Sequence, residues 1–188
     1  KESKKEKGFS PSITVLVCAF NEESVIEEKI KNSLRLIYPG DKKEIMVVAD
    51  GSSDKTKDIC EKFGQEITFL WDPRRKGKAN AIERGVRAAA GEIVFFTDAN
   101  TFLNEGALLS LAPCFKDPSV GGVCGEKKVV GRGRGSVSGE GFYWKYESYL
   151  KQKDSDYYSV AGAPGEVMAI RKELYEHPGD DALIEDFI

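Results

Sequence analysis

The sequence predicts an α/β fold in which a mostly parallel sheet carries helices on both faces. Short, continuous apolar runs occur at residues 13–19, 45–49, 67–71 and 93–96. Such runs are typical of strands that are buried on both faces. Stretches with helical spacing separate them, and this strict alternation indicates parallel strands joined by helical crossovers.

Four helices are predicted between and after these strands. The first runs from Glu22 to about Leu36, and its apolar face comprises Val25, Ile26, Ile30, Leu34 and Ile37. The second begins at Ser53 or Asp54, both favoured N-cap residues. The third spans residues 78–90 and the fourth 106–115. A strand over 120–130, a glycine-rich loop over 131–135 and an aromatic helix over 141–153 follow.

Composition excludes some classes of protein. The chain has 188 residues, 40% of them hydrophobic, which is enough for one well-formed core, and its formal net charge of −3 argues against a nucleic-acid partner. The four cysteines, none in a C-x-x-C pair, are predicted to be buried free thiols in a reducing cytosol. They are Cys18, Cys60, Cys114 and Cys124.

Residues 1–10 are expected to form a flexible, charged leader, and residues 11–188 one catalytic domain. No run approaches the roughly 18 to 20 apolar residues of a membrane span, and no signal peptide opens the chain. Without an initiator methionine, the sequence is expected to be a domain excised from a longer parent and truncated at its C-terminus.

Polar segments follow three of the predicted strands, where a parallel sheet binds its ligands. They are residues 20–23, 50–54 and 97–100. The first segment lacks the G-x-G-x-x-G pattern of a nicotinamide dehydrogenase, which excludes a dinucleotide site of that kind.

Each segment has a chemical interpretation and a structural one. Asp98 and Asn100 can direct oxygen ligands at one Mg²⁺ or Mn²⁺, or Asp98 can form an Asx turn. Asp50 can accept the N–H of a uracil-like base, or it can cap a turn. A basic cluster at residues 74–78 can bind a diphosphate at a helix start or form a solvated face, and Lys78 is its best-placed member.

Five motifs in this order resemble the family-2 glycosyltransferases, inverting enzymes with the GT-A fold. They are Val17-Cys18-Ala19-Phe20-Asn21-Glu22, Asp50-Gly51-Ser52-Ser53-Asp54, Lys76-Gly77-Lys78-Ala79-Asn80, Thr97-Asp98-Ala99-Asn100-Thr101 and Glu185-Asp186-Phe187. Segments 141–147 and 162–165 look similar to the acceptor side of membrane-anchored, processive polysaccharide synthases.

The resemblance implies a role for each matched position. Ala19, Phe20 and Glu22 would line the nucleoside pocket, Asp50 would contact the base, and Lys78 would bind the diphosphate with Asp98. Asp98 and Asn100 would hold Mg²⁺ or Mn²⁺, Asp186 would be the catalytic base, and Glu185, Trp144 and Gly162 would lie on the acceptor side.

The resemblance also implies the reaction: transfer of a hexose or N-acetylhexosamine from a UDP-sugar to a glycan or lipid-linked acceptor, with inversion. The expected location is the cytoplasm, at the cytosolic face of a membrane that only segments outside this chain would enter. Because the family's second metal carboxylate is Asn100 here, and because processive members continue into a Gln-x-x-Arg-Trp segment, the fragment is expected to be weakly active. Two alternatives stay open: a sugar-phosphate nucleotidyltransferase, and a degenerate domain that binds a nucleotide or glycan.

Overall fold

A computed structural model describes residues 9–125 and 167–177. The strands are β1 Ile13–Ala19, β2 Lys43–Asp50, β3 Thr68–Asp72, β4 Ile93–Asp98, β5 Gly122–Cys124 and β6 Val167–Arg171. The helices are α1 Ile26–Leu34, α2 Thr56–Glu61, α3 Lys78–Ala88 and α4 Ala107–Leu111. A 3-10 helix, Ala112–Lys116, continues α4.

The strands form one six-stranded sheet in the order β3-β2-β1-β4-β6-β5. The first four are parallel, whereas β6 runs antiparallel to both β4 and β5. The central strand β1 is paired along both edges, which explains why almost all of its residues are buried.

Alternate residues of the strands enter two separate cores, as the pleat requires. One core contains Val15 and Val17 of β1 with Ile26 and Ile30 of α1. The other contains Leu16 and, from β2 and α3, Met46, Val48 and Val86. Helices α1 and α2 therefore cover one face of the sheet, and α3 covers the other.

Helix α3 approaches the sheet closely at Gly85. A Cβ atom on this glycine would lie 2.5 Å from Leu16 Cδ1 and 3.1 Å from Val48 Cγ2. A larger residue here would therefore force the Leu16 side chain to move. Because α3 is held against β1 and β2, its N-terminus has a fixed position at the carboxyl ends of those strands.

The predicted strands of the first half are confirmed within one or two residues of each end for β1, β2, β3 and β4. The first helix is shorter than predicted, because residues 22–25 form a turn in which Val25 N donates to Glu22 O. Ile37 does not join the apolar face; it lies beyond α1 and is 54% exposed. Helix α2 begins at Thr56, two or three residues after the predicted N-caps.

The sequence did not predict β6. The predicted strand over 120–130 contains β5, Gly122–Cys124, and its residues 126–130 lie outside the described residues; the predicted fourth helix ends as a 3-10 helix. Strand β6 has an ordinary apolar run over residues 167–170, but its antiparallel pairing with β4 is a long-range feature. The predicted loop over 131–135 and the helix over 141–153 lie outside the described residues.

Not all of the cysteines are buried. Cys60 is buried, Cys18 and Cys124 are partly exposed, and Cys114 is exposed, which corrects the prediction for that residue. Cys114 lies in the 3-10 helix after α4, where residues on the outer side face solvent. No helix in the described ranges is long and apolar enough to cross a membrane.

Candidate active site at the carboxyl edge of the sheet

Three carboxylates lie at one edge of the sheet because three parallel strands end there. Asp50 ends β2, Asp72 ends β3 and Asp98 ends β4. The register pairs Asp50 with Asp72 and Cys18 of β1 with Asp98. The predicted clustering of polar segments at this edge is therefore confirmed.

The loops that follow β1 and β2 are joined by hydrogen bonds at Asn21. Its Oδ1 accepts from Ser53 N at 2.8 Å, and its own backbone N donates to Ser52 Oγ at 3.1 Å. Asn21 has a φ of +55°, the left-handed conformation that asparagine tolerates better than most residues. Asn21 therefore fixes the geometry of both loops.

Further bonds between the same loops come from acidic and hydroxyl side chains. Glu22 N donates to Thr56 Oγ1 at 2.8 Å, and Glu23 N donates to Asp54 Oδ2 at 2.9 Å. In return, Glu23 Oε2 accepts from Lys55 N at 3.0 Å. Asp54, predicted as an N-cap, does accept from Thr56 N, although it lies outside the helix.

Asp50 is buried, at 4% exposure, and it organises the start of α3. Its Oδ2 accepts from Lys76 N at 2.8 Å and from Gly77 N at 2.7 Å. Its Oδ1 lies 3.9 Å from Arg84 Nη2 and has no hydrogen-bond partner among the described residues. Arg84 Nη1 also contacts Asp72 Oδ2 at 3.4 Å. The structure therefore gives Asp50 the capping role, and its predicted contact with a base stays a prediction.

Phe20 lies at the surface beside the loop that precedes α3. Its ring is 37% exposed, and the Arg75 guanidinium carbon lies 3.9 Å from the ring centroid. Gly51 allows the Arg75 backbone to approach closely, because a Cβ atom at residue 51 would lie 2.5 Å from Arg75 N. Sequence reasoning preferred Lys78 over Arg75, since nothing in a run of four basic residues marks the one that stacks on an aromatic ring. Ala19 is buried at the end of β1.

The turn after β4 presents Asp98 and Asn100. It is closed by a hydrogen bond from Thr101 N to Asp98 O at 3.2 Å. Lys78, the first residue of α3, places Nζ 3.3 Å from Asp98 Oδ1. Asn100 is exposed and its Oδ1 accepts from Thr101 Oγ1 at 3.4 Å. Asp98, Asn100 and Lys78 are thus brought together, as predicted.

Helix α1 holds the same turn from within the protein. Lys29 is fully buried, and its Nζ donates to Thr97 Oγ1 at 2.7 Å and to the Thr101 carbonyl oxygen. One turn later in α1, Asn32 bonds both the N–H and the carbonyl of Leu103. Sequence reasoning missed both residues. The signal was present for Lys29, because it falls three residues after Ile26 on the apolar stripe, where a charged residue is unexpected.

The electrostatics of this edge favour a cation. Burial raises the pKa of Glu22, and the nearby carboxylates of Asp98 and Asp54 raise it further. Burial lowers the pKa of Lys29 to about 7, although the Asp98 carboxylate opposes that shift. Carboxylates that lie close together create a negative potential, which a divalent cation would neutralise.

The available ligands suit Mg²⁺ or Mn²⁺. Asp98 supplies a carboxylate that is 25% exposed, and Asn100 an exposed amide oxygen, both hard donors. The described part of the chain holds no cluster of three or more histidine, cysteine, aspartate or glutamate residues that could enclose a metal. A cation here would therefore take its other ligands from a phosphate and water, which is the usual coordination of Mg²⁺.

A cavity of about 700 Å³ opens beside the Asp98–Asn100 turn. Asn100, Thr101, Asn104 and Cys114 are among its lining residues, with Gly125 and Val167 at the ends of the described ranges. Of the candidate metal ligands, Asn100 lines this cavity and Asp98 does not. The predicted residues Trp144, Gly162, Glu185 and Asp186 lie outside the described residues.

The family model for Glycosyl transferase family 2 matches residues 14–178 of this chain. The chain belongs to this family. The family that the motifs indicated is therefore confirmed. The six-stranded sheet is the GT-A fold, which the structural neighbours share.

Two curated relatives are similar over much of the chain. The probable glycosyltransferase YdaM of Bacillus subtilis (strain 168) is 30% identical across 94% of this chain, and the match covers 45% of YdaM. The poly-beta-1,6-N-acetyl-D-glucosamine synthase of Staphylococcus aureus (strain COL) is 34% identical across 68% of this chain and 31% of its own length. The chain thus spans less than half the length of either relative.

Two solved structures are also similar. The mannosyltransferase PcManGT from Pyrobaculum calidifontis, solved with GDP-Man and Mn²⁺, superposes with a TM-score of 0.79 at 30% identity, over 95% of this chain and 50% of that one. A TarS 1-349 structure from S. aureus, in complex with UDP-GlcNAc, gives a TM-score of 0.57 at 25% identity, over 67% and 37%. These neighbours bind nucleotide-sugar donors with two different bases.

Proposed function

We propose that this domain transfers a hexose or N-acetylhexosamine from a UDP-sugar to a hydroxyl acceptor, with inversion. The observation that carries the proposal is the carboxyl edge of the sheet, where Asp98, Asn100 and Lys78 meet beside a cavity. Family membership supports a glycosyltransferase over a nucleotidyltransferase. The acceptor is a glycan or lipid-linked glycan, given the polysaccharide synthase among the relatives.

Asp98 and Asn100 would hold the cation between the turn and the donor diphosphate. A divalent cation at this position neutralises the charge that develops on the leaving diphosphate. Lys78 would contribute to the same neutralisation, because its Nζ is 3.3 Å from Asp98 Oδ1 and a cation would replace it as partner of that carboxylate. The Mn²⁺ bound with GDP-Man in PcManGT supports this assignment.

Phe20, Glu22 and Asp50 would form the nucleoside side of the site. Phe20 and Arg75 present an exposed aromatic and guanidinium surface on which a base can stack. The unpartnered Asp50 Oδ1 can accept the N–H of uracil, and a ligand reaches this buried oxygen if the residues that cover it move. PcManGT binds a guanine nucleotide, so the base is the part of the proposal that most needs a direct test.

Catalysis is assigned to Asp186 as the base that deprotonates the acceptor hydroxyl, with Glu185, Trp144 and Gly162 on the acceptor side. Inversion needs one base opposite the leaving group and no covalent intermediate. Asp186→Asn should lower transfer by about 10² to 10⁴, the usual contribution of a general base, and leave donor affinity intact. The location that we propose is the cytosolic face of a membrane.

The decisive experiment measures nucleotide binding by thermal unfolding and calorimetry. UDP should raise the melting temperature more than GDP or ADP at equal concentration, because only a ligand that binds the native state stabilises it. With Mn²⁺ present, UDP affinity should increase in the unmutated domain. It should also increase in Asn100→Asp, which adds a carboxylate to the site. Asp98→Ala should lose that increase.

Asp72→Ala is the matched control, since it removes a carboxylate from the same edge but at the end of β3, three strands from β4. It should keep the full effect of Mn²⁺. Equal stabilisation by all three nucleotides would reject the uridine site. An unchanged Mn²⁺ effect in Asp98→Ala would reject the metal assignment. Release of UDP from UDP-sugar in the presence of Mn²⁺ would identify an enzyme rather than a binding domain.

A further inference from the structure

Lys29 is the least expected buried residue in the described part of the molecule. It lies in the middle of α1, is fully buried, and is among the largest buried side chains. Burying an amine costs free energy, and an apolar residue of similar volume at such a site is often equally or more stabilising. A polar side chain retained at this cost needs a reason beyond packing.

The contacts of Lys29 supply that reason. Its Nζ reaches both ends of one short segment: Thr97 Oγ1, immediately before Asp98, and the Thr101 carbonyl, immediately after Asn100. A lysine side chain offers at least two N–H donors whether or not it is protonated, which matches the two acceptors. One side chain thus connects the beginning and the end of the turn.

Asn32 extends the attachment along the same helix. Its amide donates to Leu103 O at 2.8 Å and its Oδ1 accepts from Leu103 N at 2.9 Å. Helix α1 therefore holds the chain at residues 97, 101 and 103, while the side chains of Asp98 and Asn100 remain accessible on the other side.

We propose that Lys29 is a positioning residue for the metal turn, and that its two hydrogen bonds hold the Thr97–Thr101 backbone in the shape that directs Asp98 and Asn100 at one cation. Lys29 does not touch the cation or the donor itself. The inference rests on the proposed metal role of Asp98 and Asn100. Residues that orient metal ligands in this way typically change metal affinity by about 10- to 100-fold when they are removed.

The test measures two affinities by calorimetry: that of UDP without metal, and that of Mn²⁺ at saturating UDP. Lys29→Met replaces the amine with an apolar side chain of similar length. We expect Mn²⁺ affinity to fall by about 10- to 100-fold and metal-free UDP affinity to stay within about threefold of the parent. A residue with only a packing role would not separate the two affinities.

Lys43→Met is the matched control. Lys43 also donates to two backbone carbonyls, that of Leu34 at the end of α1 and that of Leu36 just after it. It lies at the start of β2, at the opposite end of the strand from Asp50. Its loss should leave Mn²⁺ affinity unchanged. If both lysine variants weaken Mn²⁺ binding equally, the effect is one of general stability and the inference is wrong.

Thr97→Val decides the question if Lys29→Met does not fold. It removes one of the two acceptors and keeps the shape of the side chain and the buried lysine, so Mn²⁺ affinity should fall by several-fold. Full retention of Mn²⁺ affinity in either Lys29→Met or Thr97→Val overturns the inference and leaves the metal site itself in place. If Mn²⁺ does not bind the UDP-loaded parent, the metal role proposed for Asp98 fails, and the inference fails with it.

Discussion

The loops after β1 and β2 and the turn after β4 lie at the same edge of the sheet, yet they are built differently. In the first region the scaffold comes from the motif residues Asn21 and Asp54 and from the adjacent Glu23, which bond the opposite loop. In the turn after β4, the scaffold comes from Lys29 and Asn32 of α1, which belong to no motif.

This difference separates two kinds of motif residue. A polar side chain that is used within the first region is not available to a ligand without a loss of structure. Asp98 and Asn100, in contrast, are positioned by other residues and present their oxygens outwards. Substitutions in the first region should therefore alter stability more than affinity, and those in the turn should do the reverse.

The largest effect on stability is expected for Asp50→Ala. This change leaves two backbone N–H groups, of Lys76 and Gly77, without their acceptor and leaves Arg84 with Asp72 as its remaining counter-charge. Leaving a buried hydrogen-bond donor without its partner costs about 1 to 3 kcal/mol, and this variant leaves two. Urea unfolding should show that loss, whereas Asp98→Ala should change stability by less than about 1 kcal/mol because its pair with Lys78 is partly exposed. Equal losses in the two variants would remove the distinction between the regions.

Asp50 also shows what the sequence could and could not predict. Its place at a strand end and the helix start at Lys78 follow from local patterns, and the structure confirms them. The family resemblance placed Lys78 and Asp98 at one diphosphate, and the structure brings their side chains within 3.3 Å of each other. Its burial and its bonds to residues 76 and 77 depend on how α3 packs against the sheet, which no local pattern contains.

The same limit applies to the long-range contacts. Lys29, a charged residue on an apolar stripe, was missed, and its acceptors are 68 and 72 residues away. The antiparallel β6 was likewise missed, because its pairing with β4 joins strands about 70 residues apart in sequence. Sequence patterns indicated which residues are polar and near strand ends, while tertiary packing decided which of them bond within the protein and which stay accessible.

The pH dependence of stability tests whether the Lys29 amine, which bonds the turn after β4, is buried. Burial lowers the pKa of Lys29 from 10.5 to about 7 in the folded protein, so between these values the unfolded chain binds more protons and stability increases with pH. The difference in unfolding free energy between the parent and Lys29→Met should therefore rise above pH 7, by up to about 1.4 kcal/mol per pH unit. Below pH 7 that difference should be constant.

Denaturant unfolding of both proteins at several pH values between 6 and roughly 9.5 measures this difference, and the titrations of all other groups cancel in it. A difference that does not vary with pH would show that Lys29 keeps an ordinary pKa in the folded protein. The amine would then be solvated. The turn after β4 would not be supported by a buried lysine of α1, and the contrast with the first region would be lost.

The smallest effect is expected at Asn21, which combines a left-handed backbone with a hydrogen bond between loops. Asn21→Gly keeps the φ of +55° accessible and loses the bonds that Oδ1 accepts from Ser53 N and Ser53 Oγ, so it should cost about 0.5 to 1.5 kcal/mol. Asn21→Ala loses the same bonds and also strains the backbone, which adds about 1 kcal/mol. The difference in unfolding free energy between the two variants separates the cost of backbone strain from the cost of the lost hydrogen bonding. Mn²⁺ affinity at saturating UDP should be the same in both variants, because Asn21 does not hold the turn after β4. A loss of Mn²⁺ affinity as large as in Lys29→Met would mean that the two regions act as one unit.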